Sequence, residues 1–272
     1  MNRVLASIAL IVLASPALAA ATDWQDVAPA ARVRLISSDT RAADGTTLVG
    51  VEIDMPASTK TYWRVPGESG IPTRLDLAGS QGIAGHEVLW PYPVIDETAG
   101  FVDFVYYGPT VLPLRLALRG APPLLVISLV MGICSDVCVP VQAQFSLPLD
   151  FGKADAGQSI RIEQAMANVP LPADKVSVGR VDFDSSSGYL SVALADTQID
   201  PASIIAATPG DTALFGAPQK SPDTGLVLLP LLGGEGQNGL VGQPIQITFM
   251  TPRGPFAVER EIAAAGSTPG DE

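Results

Sequence analysis

Val49-Gly-Val-Glu-Ile-Asp-Met55 places an apolar side chain at every second position, with a small or acidic residue between. That period of two marks a strand with one face buried and the other wet. Leu112, Leu114, Leu116 and Leu118 repeat it, with Arg115 on the opposite face. Outward from these two anchors, strands are expected over 33–37, 85–90, 101–107, 124–131 and 144–149. Turn clusters separate them, among them Ala43-Asp-Gly45, Pro66-Gly-Glu-Ser-Gly70 and Arg119-Gly-Ala-Pro-Pro123. Their glycines, prolines and aspartates supply the backbone geometries that turns demand. Short strands at this spacing predict an antiparallel sandwich, and the many prolines fit its edges and turns better than its central strands.

Ile162, Ala165, Met166 and Val169 share one helical face, which predicts a helix over 159–169 that Pro170 and Pro172 end. It reads as a connector, because strand patterns resume beyond it at 176–183, 189–194, 203–207, 225–232 and 243–250. In the last of these Ile245, Ile247 and Phe249 alternate with polar neighbours. The expected organisation is a signal peptide (1–21), a first β-sandwich (28–150), a linker with the helix (151–171) and a second, smaller β-sandwich (172–263). The small, polar tail 264–272 is expected to be disordered.

The leader has a positive Arg3, a short apolar run from Val4 to Ala14 and the small-x-small site Ala17-Leu-Ala19, with cleavage after Ala19 or Ala21. This places the mature chain in a bacterial periplasm. Its apolar run is too short to span a bilayer, and Pro16 breaks it. The most apolar later stretch, Ala121 to Ile133, holds 13 residues and two prolines, whereas a span needs about 20. No membrane span of its own is expected, so any membrane partner is a separate chain. A net charge of −12 with four lysines argues against nucleic acid as a partner and reads as solubility of an exported protein.

The chain has two cysteines, Cys134 and Cys138, in Gly132-Ile-Cys-Ser-Asp-Val-Cys-Val-Pro140. In an oxidising compartment they will pair. A disulfide closing so small a loop contributes roughly 2 kcal/mol by loop entropy, against nearly 5 for a loop of about 100 residues, so it is a poor staple. Three roles stay open: thiol-disulfide exchange, a structural disulfide, and copper(I) binding. Exchange needs one thiol open to attack and one to resolve the mixed disulfide. Asp136 lies between the cysteines and, if close in space, raises their thiol pKa. Zinc needs about four ligands, and the single histidine, His86, leaves the set short. Copper(I) accepts two soft thiolates. Periplasmic copper carriers with this spacing, however, have proline directly after the second cysteine, where this chain has Val139. No resident cofactor and no metal ligand set are expected, and a copper(I)-binding chaperone stays as the alternative to exchange.

Ile133-Cys-Ser-Asp-Val-Cys-Val-Pro140 with Phe145-Ser-Leu147 resembles the N-terminal periplasmic domain of the DsbD/ScsB family of thiol:disulfide interchange proteins. Lys60-Thr-Tyr-Trp-Arg-Val-Pro-Gly-Glu-Ser-Gly70, Val88-Leu-Trp-Pro91, Tyr106-Tyr-Gly108 and Val111-Leu-Pro-Leu114 match upstream and downstream in the expected order. The resemblance covers roughly 30–150, and the rest looks like the extended ScsB-like branch. It implies an immunoglobulin-like sandwich with the cysteines on adjacent strands. It also implies electrons arriving from a membrane thiol reductase and passing to periplasmic thioredoxin-fold proteins. By motif position Cys138 forms the mixed disulfide and Cys134 resolves it. Phe104, Tyr106 and Tyr107 fall where the family has an aromatic cap, and Tyr62 and Trp63 are expected to wall the site. The spacing is shorter here than in DsbD proteins, and this chain stops before their transmembrane and C-terminal domains, so a freestanding carrier is expected.

Overall fold

The computed structural model describes residues 20–120, 122–152, 155–174, 177–233 and 239–266. The expected signal peptide lies outside them except for its last two residues. Ala21 is bridged to Ile36, and Ser37 N donates to Ala20 O at 2.7 Å. Of the expected tail, 267–272 also lies outside.

Eleven strands form the first unit: β1 (Gln25–Ala28), β2 (Ala31–Ser37), β3 (Thr46–Asp54), β4 (Lys60–Gly67), β5 (Arg74–Asp76), β6 (Ile83–Val88), β7 (Val94–Asp96), β8 (Asp103–Tyr107), β9 (Thr110–Leu118), β10 (Leu124–Cys134) and β11 (Cys138–Pro148). One sheet runs β1-β2-β3-β9-β6 and the other β11-β10-β4-β8-β7, with β5 also on β10. The two anchor segments pair directly, Val49 opposite Leu114 and Val51 opposite Leu112. Their apolar sides, apart from the partly buried Leu118, are buried and meet Trp63, Phe104, Ile127, Met131 and Phe145 from the other sheet. Each such side chain contributes about 1.5–3 kcal/mol on leaving water. This is the immunoglobulin-like sandwich.

An α-helix, α1 (Ala156–Met166), follows. It begins and ends about three residues earlier than its apolar spacing suggests. The Asp155 carboxylate accepts from the backbone N–H of Gly157 and Gln158 and so starts it. Asn168 N and Val169 N then bond back three residues, which tightens the chain ahead of Pro170. The helix packs on the outer face of the five-stranded sheet. Its Ile162 is fully buried, and Glu52, at 7 % exposure, takes ion pairs from both Arg34 and Arg161.

The second unit comprises β12 (Leu171–Pro172), β13 (Val178–Asp184), β14 (Tyr189–Leu194), β15 (Ile205–Ala207), β16 (Leu214–Phe215), β17 (Gln219–Lys220), β18 (Leu226–Leu232), β19 (Pro244–Thr251) and β20 (Gly254–Ala264). Its pairing runs β20-β13-β14-β18-β16-β15-β19 and returns to β20. The fold is thus all-β and almost wholly antiparallel, with β20 running parallel to β12 and β13. The sequence pattern did not reveal β20, whose Ala, Glu and Arg content suits a helix. The turn decides it: Thr251 and Gly254 are register partners with two residues between them, and Gly254 takes φ +110°, a conformation that favours glycine. Ala264, expected to open a disordered tail, is the last residue of this strand.

The two units are joined by apolar and polar contacts. Ile205 and Ala207 of β15 belong to the first unit's buried cluster. Tyr92 donates to Ser203 O at 2.6 Å, and Arg64 donates to Gln246 Oε1 at 2.8 Å.

Candidate functional site: a disulfide at the end of a sheet

β10 and β11 form an antiparallel ladder of eleven residue pairs that ends at Cys134 opposite Cys138. The two sulfurs are bonded, with the Cα atoms 4.0 Å apart. Three exposed residues, Ser135, Asp136 and Val137, close the hairpin. Pro140 is tolerated because β11 lies at the edge of its sheet. The two cysteines differ sharply in access: Cys134 is 1 % exposed, whereas Cys138 is exposed. An attacking thiolate can therefore reach Cys138, and the bond that breaks leaves its electrons on the shielded sulfur.

Neighbouring strands extend the row. Cys134 pairs with Lys60 of β4, and Lys60 pairs with Tyr107 of β8. One step further along, Tyr62, Val105 and Cys134 form a small buried cluster separate from the main core. The Tyr62 hydroxyl lies 2.9 Å from Cys134 Sγ and 3.3 Å from Cys138 Sγ. Its ring is held by close backbone approach. A methyl group on Gly132 would come within 3.0 Å of the ring, and one on Gly70 within 2.5 Å.

A buried charge cluster flanks this row. Lys60 Nζ donates to Asp96 Oδ2 at 2.7 Å and to Asp103 Oδ2 at 3.4 Å. Tyr107 donates to Asp96 as well, and Ser69 donates to Asp103 at 2.6 Å. Burial pushes the Asp96 carboxyl up, but hydrogen bonds from Lys60, Thr98 and Tyr107 outweigh it and hold the group well below the usual carboxylate range. Burial likewise pulls the Lys60 ammonium down, and the two carboxylates more than reverse that.

Of the five aromatic residues expected around the pair, Tyr62 alone makes a hydrogen bond to a sulfur among the described residues. Phe104 and Tyr106 lie in the main core, with the Tyr106 hydroxyl on Pro91 O at 2.7 Å. Trp63 meets Phe104 edge-on, centroids 5.9 Å apart, also in the core. The reason is strand alternation: 104 and 106 face one side of β8, and 105 and 107 the other. Phe104, Tyr106 and Trp63 are core residues, and Val105 takes the place against the cysteines. Tyr107 is 40 % exposed. Asp136 is exposed at the hairpin tip. Lys60 and Gly70 lay within the family-like stretch 60–70, Gly132 beside the cysteines and Asp103 within an expected strand, but nothing in the sequence assigned any of them, or Asp96, a part at the site.

His86 lies on β6, in the other sheet. Among the described residues no group of three or more His, Cys, Asp or Glu side chains is arranged to hold a metal ion, and no helix is long and apolar enough to cross a membrane.

Residues 32–150 match the family model of the thiol:disulfide interchange protein DsbD, N-terminal. The DsbD match spans most of the first sandwich and includes both cysteines. The N-terminal periplasmic domain of ScsB from Proteus mirabilis, a crystal structure, is similar over 91 % of this chain and 100 % of its own, with a TM-score of 0.72 and 24 % identity. At that identity the ScsB likeness is one of fold, and it extends across both sandwiches. No curated protein matches the chain.

Proposed function

We propose that the protein is a periplasmic thiol-disulfide exchange carrier that accepts electrons from a membrane thiol reductase on a separate chain and delivers them to thioredoxin-fold partners. The observation that carries this reading is the unequal exposure of two bonded cysteines at the end of an open ladder. A staple has no need of one exposed sulfur. An exchange pair needs one sulfur to meet the partner and a second, shielded one to resolve the adduct. Cys138 takes the first role and Cys134 the second. The DsbD match over 32–150 supports the same chemistry. In this reading 28–150 is the exchange domain, 151–171 the linker and 172–263 a second sandwich. Tyr107 and the hairpin residues Val137 and Val139, all exposed, rim the contact surface.

Incubating a Cys134→Ser variant with oxidised thioredoxin-fold proteins of the same compartment tests the proposal. A mixed disulfide through Cys138 is expected to accumulate, because the resolving sulfur is gone. Absence of any adduct, together with a wild-type reduction potential below about −300 mV, identifies the bond as structural and ends this reading.

A further inference from the structure

The Tyr62 hydroxyl is within hydrogen-bond distance of both sulfurs of the disulfide, and the exchange roles given to the cysteines leave it unused. Neither sulfur of a disulfide carries a proton, so in the 2.9 and 3.3 Å contacts the hydroxyl is the donor. The shorter contact goes to Cys134, the buried sulfur. Tyr62 is itself fully buried, and water does not compete for the bond. The ring cannot swing away easily, because Gly70 and Gly132 let backbone press on two of its edges. The next turn of chain is pinned in turn by Ser69 N and Oγ on Asp103. A donor fixed in place before reaction stabilises developing charge without reorganising.

We propose that Tyr62 is a catalytic hydrogen-bond donor that stabilises the thiolate leaving on Cys134 when a partner attacks Cys138. This rests on the reading of Cys134 and Cys138 as an exchange pair. In the step, a partner thiolate attacks Cys138 Sγ and forms a new sulfur–sulfur bond. The Cys134–Cys138 bond breaks, and its electron pair stays on Cys134 Sγ. The partner sulfur is oxidised to the disulfide level as Cys134 is reduced to a thiolate. Tyr62 strengthens its bond to that thiolate and keeps its proton. In the reverse step the same hydrogen bond holds the Cys134 thiolate within reach of Cys138. Burial, then the Asp103 charge, push the Tyr62 hydroxyl above the usual tyrosine value, and Lys60 and Ser69 only partly offset this. The group therefore stays a donor throughout the working pH range.

A lower leaving-group pKa speeds thiol-disulfide exchange, so removing the donor should slow it. Tyr62→Phe keeps the ring and removes only the hydroxyl. Reduction of the oxidised variant by dithiothreitol is expected to be about tenfold slower than wild type, since a hydrogen bond to a charged group has at least that weight. In a Cys138→Ser background, thiolate ultraviolet absorbance against pH is expected to place the Cys134 pKa about one unit higher with Tyr62→Phe than without. Both changes are required. A rate within twofold of wild type, or a slower rate with an unmoved thiol pKa, overturns the proposal, the latter because it marks a merely structural role. If Tyr62→Phe fails to fold, 3-fluorotyrosine in place of Tyr62 supplies a stronger donor of nearly the same shape. It should accelerate reduction and lower the thiol pKa, and no change in either overturns the proposal. Dithiothreitol needs no protein docking, so a failure here is distinct from a failure to trap a partner.

Discussion

In the first sandwich the six-stranded sheet runs out at β11, and the β10–β11 ladder stops at a pair of cysteines with solvent beyond. In the second, β20 pairs with β13 on one side and β19 on the other, so the strands close on themselves. The buried polar groups divide in the same way. Glu52, Asp96, Asp103 and Asp39 are all in the first unit, whereas the second buries Ser203, Thr208 and Thr248 and no charged residue among those described. A ladder with an end offers a place where a side chain can be half in the sheet and half in water. A closed ring offers none, and its interior is free to be optimised for packing alone. The contrast fits the proposed assignment, with the chemistry on the first sandwich and the second as its support.

The strongest way to break that assignment is to damage the second core. Phe215 is fully buried there among Leu229, Ile247 and their neighbours, and Phe215→Ala is expected to cost about 3–5 kcal/mol of stability through lost burial and the cavity left behind. Denaturant unfolding checks the loss. The reduction rate of the folded fraction by dithiothreitol should remain at the wild-type value; a tenfold drop would show that the second sandwich shapes the site directly.

A smaller effect sharpens the contrast from the other side. Asp96→Asn removes the charge that Lys60 and Tyr107 hold, and a loss of about 1.5–3 kcal/mol is expected at neutral pH. The Asp96 carboxyl is depressed on folding, so its contribution is present above the unfolded value of about 3.9 and is lost as pH falls through the lower folded value. Thermal unfolding of wild type and variant from neutral to strongly acid pH should therefore show two curves that converge in acid. Parallel curves would mean that the charge of Asp96 is not what stabilises the cluster.

The smallest effect concerns the junction. Tyr92 is pushed up to about 12 by burial, so its hydroxyl donates to Ser203 O at any ordinary pH. Tyr92→Phe should cost about 1 kcal/mol, read by equilibrium unfolding as a single shifted transition. Two separated transitions would show that the sandwiches are coupled by this bond more than by Ile205 and Ala207.

The frame of this molecule was legible wherever a strand buries one face against a partner sheet. Val49, Val51, Ile53, Leu112, Leu114 and Leu116 announce their own burial through the period of two. β11 begins at Cys138, ahead of the expected 144–149, because Pro140 is accommodated at the edge of the sheet. Parity divides the expected cap aromatics: 104 and 106 face one side of the strand and 107 the other. The same rule, applied to 62 and 63, separates the residue on the sulfurs from the one in the core. The pairing of Lys60 with Asp96 and Asp103 was out of reach, since the partners stand 36 and 43 positions apart in the chain, and nothing local marks it.

The ladder that delivers Cys134 to Cys138 also holds them there once the bond between them is cut. At the end of a ladder of eleven residue pairs, the freed sulfurs are held close, and each stays at a very high local concentration with respect to the other. In the proposed exchange, any adduct formed on Cys138 is therefore brief, its lifetime set by the attack of a neighbour already in position. The ladder holds the two positions by backbone pairing as well as by the disulfide, which suits the proposed carrier, a molecule that must be reset many times and remember nothing of its last partner.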